Sequence, residues 1–71
     1  MRYDIQKIVR ARTVRGWTQT ELARRIDKSP STISKIESGE IIALPGTIKE
    51  IAEALGLEME DLVISDREKT A

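Results

Sequence analysis

The sequence has 71 residues and contains neither cysteine nor histidine. Without cysteine the chain can form no disulfide framework and no thiolate metal site. Without histidine it lacks the commonest general base and the commonest metal ligand. A domain of this size also leaves little volume for a substrate pocket. We therefore expect a protein that is not an enzyme and that needs no metal or other cofactor.

Long apolar runs are missing too. The longest one covers residues 41–44, whereas a membrane-spanning helix needs about 20 apolar residues. The N-terminal segment also lacks the apolar run of a signal peptide. These absences predict a cytoplasmic chain with no membrane partner. The length allows a single domain, which we place at residues 1–65, followed by a flexible tail at residues 66–71.

The formal net charge is zero, but the charges are unevenly distributed along the chain. Residues 1–39 contain nine Lys or Arg and four Asp or Glu, which gives a net charge of +5. Residues 40–71 contain three Lys or Arg and eight Asp or Glu, which gives a net charge of −5. This asymmetry favours a molecule with one face toward a polyanion and another turned away from it. The alternative is a chance scatter of charges.

Helical periodicity is present throughout, and no segment alternates apolar and polar residues over the length of a strand. The pattern predicts five helices, at about residues 4–15, 18–26, 30–38, 45 or 47 to 55, and 58–64. Their apolar faces supply the predicted core, with Ile5, Ile8, Val9, Leu22, Ala23, Ile26, Ile33, Ile36, Ile48, Ile51, Ala52 and Leu55. Glycines 16, 39 and 56 stand where helices one, three and four should end.

The starts of helices two and three are marked most clearly. Thr18 followed by Glu21 has the pattern of a capping box. Ser29 is a favourable N-cap, and Pro30 fits the first helical position, where no amide donor is needed. Only residues 27–29 separate the two helices, so the helices must cross at a steep angle, as in a DNA-binding helix-turn-helix.

The third predicted helix turns short polar side chains outward once Ile33 and Ile36 are buried. Small side chains let a helix approach the major groove, hydroxyls can bond to base edges, and a lysine can reach guanine or phosphate. An ordinary solvated face is the alternative, although such a face is usually richer in Glu and Lys. The outward residues are Pro30, Ser31, Ser34, Lys35 and Ser38, with Thr32 at the flank.

Helix N-termini carry free amides and the positive end of the helix dipole, where phosphates can bind. Gln19 can add a side-chain donor at the start of helix two, and Lys28 and Ser29 can do so at helix three. Ser38 completes the predicted phosphate-binding set. Such contacts set the register on a duplex, while the outer face of helix three reads the bases.

Three stretches of the sequence resemble the lambda-repressor-like helix-turn-helix family, which includes phage repressors, Cro and XRE-type proteins. They are WTQTELA at residues 17–23, SPSTISKIESG at residues 29–39 and IAEALGL at residues 51–57. The resemblance covers residues 5–63. It implies an all-α, compact five-helix domain whose third helix enters the major groove, usually as a homodimer on a palindromic operator.

The resemblance also implies roles for particular residues. The family's base contacts fall on five residues of helix three: Pro30, Ser31, Thr32, Ser34 and Lys35. Its phosphate-contacting glutamine falls on Gln19. Its structural ion pair falls on Arg12 and Glu37, which is physically sensible because a lone buried arginine would be costly; two exposed charges are the alternative. Pro30 departs from the pattern, since some relatives place a base-reading amide there, and it offers only apolar contact, for example to a thymine methyl.

The loop after helix three is a second departure, because it is apolar where relatives usually have basic and polar residues. We expect Leu44 to close the core. We expect Ile41 and Ile42, with Met59 and Val63 of helix five, to form a homodimer or partner surface, although they could instead close the core as well. The predicted function is a sequence-specific transcriptional regulator, a repressor of the Cro-like kind, on double-stranded DNA. The alternative is a protein-interaction module, a bridging adaptor or antitoxin-like partner, docking through residues 40–44 or helix five.

Overall fold

A computed structural model of the chain describes residues 2–64. Five helices follow one another: α1 Ile5–Val14, α2 Gln19–Arg25, α3 Pro30–Ser38, α4 Pro45–Leu55 and α5 Met59–Leu62. Two short strands flank them, β1 Arg2–Tyr3 and β2 Val63–Ile64. The predicted compact five-helix architecture is confirmed. The tail predicted at residues 66–71 lies outside the described residues.

Local sequence signals set the boundaries of the central helices. The Thr18 hydroxyl accepts the backbone N–H of Glu21 at 3.1 Å, and the Ser29 hydroxyl accepts that of Thr32 at 3.2 Å. Each cap satisfies an amide that has no partner within the first turn of its helix. At the other end of α3, Gly39 has φ +83°, a left-handed conformation that glycine adopts without steric cost. The start and the end of α3 are thus encoded locally.

One face of every helix contributes to a single apolar core. No polar or charged residue among residues 2–64 is buried. Ile33 and Ile36 of α3 are 1% and 2% exposed, so that helix is held by its inner face. The full set is Ile8, Leu22, Ala23, Ile26, Ile33, Ile36, Ala43, Ile48, Ile51, Ala52, Leu55 and Leu62. Ile5, also expected in this core, is half-buried and packs against its edge.

The turn between α2 and α3 depends on a strained residue. Asp27 has φ +57°, the only positive φ at a non-glycine position within residues 2–64. This conformation lets the backbone N–H of Lys28 donate to the Ala23 carbonyl at 2.9 Å, which closes the end of α2. The tight turn sets the crossing angle between α2 and α3. It requires Asp27 to adopt a left-handed conformation, which is sterically unfavourable for a residue with a Cβ.

The expectation of no strand was wrong at the two ends of the described chain. Arg2 pairs with Ile64 and Tyr3 with Val63 in an antiparallel two-stranded sheet. The helix expected at residues 58–64 is therefore shorter, because its last two residues form β2. Strands of two residues are too short to produce an alternating pattern, so periodicity could not have found them.

The expectation that Leu44 closes the core was also wrong, because this residue is 74% exposed. The smaller Ala43 takes the inner position instead. Leu44 has extended φ and ψ angles ahead of Pro45, and successive side chains of an extended segment point to opposite sides. With Ala43 turned inward, its neighbours Ile42 and Leu44 are both turned outward.

We expect Asp27→Gly to raise the free energy of unfolding by about 0.5–1 kcal/mol, because glycine adopts a positive φ without steric conflict. The change also removes a carboxylate from the negative end of the α2 dipole. Urea denaturation measures the effect. Asp27→Ala is the matched control, since it also removes the charge but tolerates a positive φ less well than aspartate, and it should not raise the stability. A glycine variant less stable than the wild type would contradict this account of the turn.

Candidate nucleic-acid interface

The exposed face of α3 presents three polar groups that have no partner among residues 2–64. They are the hydroxyls of Ser31 and Ser34 and the ammonium of Lys35, all on exposed residues. The opposite face of the helix is fixed in the core by Ile33 and Ile36. The helix therefore offers donors and acceptors to an external ligand without having to break any internal contact.

At the start of α3, the hydroxyls of Ser29 and Thr32 bond to each other. Ser29 Oγ and Thr32 Oγ1 are 2.9 Å apart, and Ser29 Oγ also accepts the Thr32 amide. Pro30 is exposed beside them at the first helical position. The structure thus brings all five predicted base-reading residues onto α3, but Thr32 is half-buried and its hydroxyl is engaged within the helix.

Ser38, which we expected to bind phosphate, is used by the helix end. Its hydroxyl donates to the Lys35 carbonyl at 3.1 Å and accepts the Glu40 backbone N–H at 3.3 Å. A serine hydroxyl has one proton to donate. In this arrangement that proton is not available to a phosphate, so Ser38 serves mainly to end α3.

A hydrogen-bonded cluster connects α1, α2 and α3. The Arg12 guanidinium binds the Glu37 carboxylate through two parallel hydrogen bonds, of 2.8 Å from Nε and 3.0 Å from Nη2. Arg12 Nη1 also donates to the Trp17 carbonyl at 2.7 Å. The Arg12 and Glu37 side chains are 14% and 6% exposed. Paired, charge-assisted hydrogen bonds in such a sheltered place are strong and geometrically specific, so the C-terminal end of α3 is fixed to α1.

Gln19, the first residue of α2, belongs to the same cluster. Its Nε2 donates to Glu37 Oε1 at 2.9 Å. A glutamine amide has a second N–H and a carbonyl oxygen, so this contact orients the side chain without using up its hydrogen-bonding capacity. The sequence placed Gln19 at a phosphate site but did not reveal that Glu37 would position it.

Lys28, at the start of the turn into α3, has an acidic neighbour. Its Nζ lies 4.0 Å from Glu50 Oε1, and both side chains are substantially exposed. An exposed pair at this distance contributes little to stability. The ammonium can therefore turn from Glu50 to a phosphate at small cost, as the predicted role of Lys28 requires.

A cluster of arginines around Trp17 was not foreseen. The Arg25 guanidinium lies 4.0 Å from the centre of the Trp17 ring, and that of Arg15 lies 5.7 Å from it. Such guanidinium–ring contacts are favourable cation–π arrangements. The cluster covers the exposed side of the half-buried indole ahead of α2.

Glu21 binds arginines instead of completing the predicted capping box. Its carboxylate accepts hydrogen bonds of 2.7 Å from both Arg24 and Arg25, a pairing that the i,i+3 and i,i+4 spacing could have signalled. The hydrogen bond from Arg24 and the positive charge of both arginines hold the pKa of Glu21 below its ordinary value of 4.5, although burial acts in the opposite direction. The stability from these contacts is therefore present above pH 4.5 and is lost as the pH falls through the lowered pKa.

The predicted partner surface is only partly assembled. Ile42 is 89% exposed, and Ile41 is also exposed. Both line an open apolar groove of about 250 Å³ together with Tyr3 and Ile5. Met59 is half-buried against the core, and Val63 is half-buried in β2. Three of the four large apolar side chains that are exposed within residues 2–64, those of Ile41, Ile42 and Leu44, lie in this loop; the fourth is Val14 of α1.

Two further features of the part of the chain that is described bear on metal binding and on membranes. No three or more acidic side chains converge in a way that could hold a metal ion within residues 2–64. Among the same residues, none of the helices combines the length and the apolar character that a bilayer crossing requires.

Comparison with known proteins identifies the fold. A family model described as helix-turn-helix matches residues 8–62. The chain belongs to this helix-turn-helix family. The match extends from within α1 to the end of α5, so it confirms the predicted lambda-repressor-like domain.

A eukaryotic relative is similar to this helix-turn-helix chain. Multiprotein-bridging factor 1 of Schizosaccharomyces pombe is 32% identical over 54 residues. The aligned region covers 76% of this chain but 36% of the yeast protein. The chain therefore spans about a third of the length of that relative.

We expect Glu37→Ala to lower the free energy of unfolding by about 3–5 kcal/mol, because it leaves the sheltered Arg12 guanidinium without a carboxylate. Urea denaturation measures the loss, which would be a large part of the stability of so small a domain. The control is the double variant Arg12→Met/Glu37→Leu, which removes both charges and should recover most of the loss. A cost of less than about 1 kcal/mol for the single variant, the range of exposed pairs, would contradict the structural role of the pair.

Proposed function

We propose that this chain is a sequence-specific DNA-binding regulator of transcription that reads the major groove with α3. The observation on which the proposal rests is the exposed face of α3, where Ser31, Ser34 and Lys35 have no internal partner among residues 2–64. Membership of the helix-turn-helix family supports a DNA-binding role. Such a regulator would act in the cytoplasm, in contact with DNA.

The proposed division of labour follows from what each group can recognise. Lys35 can donate to the acceptors of guanine, and the hydroxyls of Ser31 and Ser34 can donate or accept at base edges. Phosphates are left to Gln19, Lys28 and the helix N-termini near them, where the dipole and free amides favour an anion. The phosphate contacts position the domain, and the α3 face supplies the selectivity.

The charge distribution supports this orientation. The first 39 residues, which include α1 to α3, have a net charge of +5, whereas the remainder has −5. A polyanion is attracted by the former and repelled by the latter, so the domain meets the duplex with its helix-turn-helix side. The loop after α3 contains no Lys or Arg. The phosphate contacts must therefore come mainly from α1 to α3.

We further propose that two copies bind a palindromic operator and that the complex represses transcription. Ile42 and Leu44 are largely exposed, and Ile41 and Ile42 border an apolar groove. Exposed apolar side chains concentrated in one loop of a small domain are typical of an association surface. Two copies of this domain would then read half-sites about 34 Å apart.

We expect selection from a random duplex pool to yield a palindromic site. Lys35→Ala and Ser31→Ala should each weaken binding to that site by about 1–3 kcal/mol and relax selectivity at one base pair, while Gln19→Ala should weaken all duplexes similarly. Lys49→Ala is a charge-matched control on α4, away from α3. Titration of labelled duplexes measures the effects. Unchanged operator affinity in both α3 variants would refute the assignment of α3 as the recognition helix.

We expect sedimentation at micromolar concentration to detect a dimer, and Ile42→Lys to convert it to a monomer because a charge would enter the interface. Ile42 is 89% exposed, so the substitution should leave the stability of the monomer unchanged. Urea denaturation at low protein concentration controls for this. A wild-type protein that remains monomeric, with or without operator DNA, would rule out the dimer.

A protein-bridging adaptor or antitoxin-like partner is the second candidate function, and one observation favours it. The yeast relative carries the name of a multiprotein-bridging factor. An adaptor would use the exposed loop at residues 40–44 or α5 for a different protein. The random-duplex experiment separates the two, since an adaptor would enrich no sequence even at low salt.

A further inference from the structure

We infer that the first turn of α3 recognises the C5-methyl group of a pyrimidine through Pro30, which makes thymine and 5-methylcytosine equivalent ligands at one position of each half-site. The inference depends on the proposed DNA-binding function, and it names a chemical feature of the DNA that the helix prefers. It assigns the specificity of this position to an apolar contact instead of a hydrogen bond.

The first observation is the position of Pro30. It is exposed and is the first residue of α3, on the same helix as the polar groups of the candidate interface. Its ring has no donor or acceptor, and it loses no rotamer freedom when it is buried. The only feature that a base edge in the major groove offers to such a ring is a methyl group.

The second observation is that two of the three hydroxyls near Pro30, those of Ser29 and Thr32, are occupied, whereas that of Ser31 is not. Ser29 Oγ accepts the Thr32 amide at 3.2 Å and lies 2.9 Å from Thr32 Oγ1. These contacts hold both side chains in the cap of the helix. The beginning of α3 is therefore poorer in available polar groups than the segment that follows.

The third observation is the separation between Pro30 and Lys35 on α3. Lys35 follows Pro30 by five residues, which corresponds to about 7.5 Å along the helix and about 140° around its axis. Because the two side chains are separated both along and around α3, we expect them to contact different base pairs, so the two contacts can be tested separately.

The experiment uses the full chain and a duplex obtained from the random-pool selection. Each thymine of one half-site is replaced in turn by deoxyuridine, which removes only the C5-methyl group. We expect one position at which affinity falls about fourfold, the change that corresponds to about 0.8 kcal/mol for one buried carbon group. At that position, a cytosine should bind about fourfold more tightly when it is methylated at C5.

Pro30→Gly supplies the decisive comparison. Glycine has no side-chain carbon, whereas alanine would keep a methyl group that can itself contact thymine. The ratio of the affinities for the thymine and uracil duplexes should therefore fall below about twofold. Ser34→Ala is the matched control. It should lower the affinity for both duplexes and leave the ratio of the thymine to the uracil affinity near four. Urea denaturation verifies that both variants fold.

The outcomes distinguish this inference from the proposed function. If the wild-type protein selects a duplex but binds thymine and uracil equally at every position, or if Pro30→Gly keeps the fourfold ratio of affinities, the methyl contact is refuted while DNA binding stands. If the protein selects no duplex at low salt, both proposals fail.

Discussion

Glu37 accepts hydrogen bonds from Arg12 and from Gln19, and through them it ties the last turn of α3 to the two helices that precede it. Its side chain is 6% exposed, so this is an ionic contact largely removed from water. A charge in such a place is tolerated only when its partners are present and correctly placed. The orientation of α3 therefore depends on residues that are distant in sequence and contributed by three helices.

The two faces of α3 illustrate how that constraint serves recognition. Inward, Ile33 and Ile36 and the Glu37 cluster fix the helix. The outward hydroxyls of Ser31 and Ser34 and the Lys35 ammonium make no contact that supports the fold within residues 2–64. Residues that do not support the fold can be exchanged without loss of structure. Separation of the groups that hold the helix from the groups that meet the ligand is what allows one scaffold to read different sequences.

The five helices could be predicted because their signals are local: caps such as Thr18 and Ser29, and apolar faces at helical spacing. The resemblance to a known family identified Arg12 and Glu37 as a pair, and the structure brings them together. The predictions that were wrong all concern residues for which several partners or positions compete. Glu21 had a backbone amide and two arginines within reach and bound the arginines. Likewise Ala43 displaced Leu44 from the core, and pairing with β1 took the last two residues of the expected fifth helix.

The β1–β2 pairing has a consequence for how this domain can be joined to others. Arg2 lies opposite Ile64 across a strand spacing of about 5 Å, so the polypeptide enters and leaves the domain at the same point. A protein fused upstream or downstream would be tethered at one common place on the surface. A circular permutant with a short linker across this gap would keep every helix in its present position. For the same reason the domain could be inserted into a surface loop of a host protein.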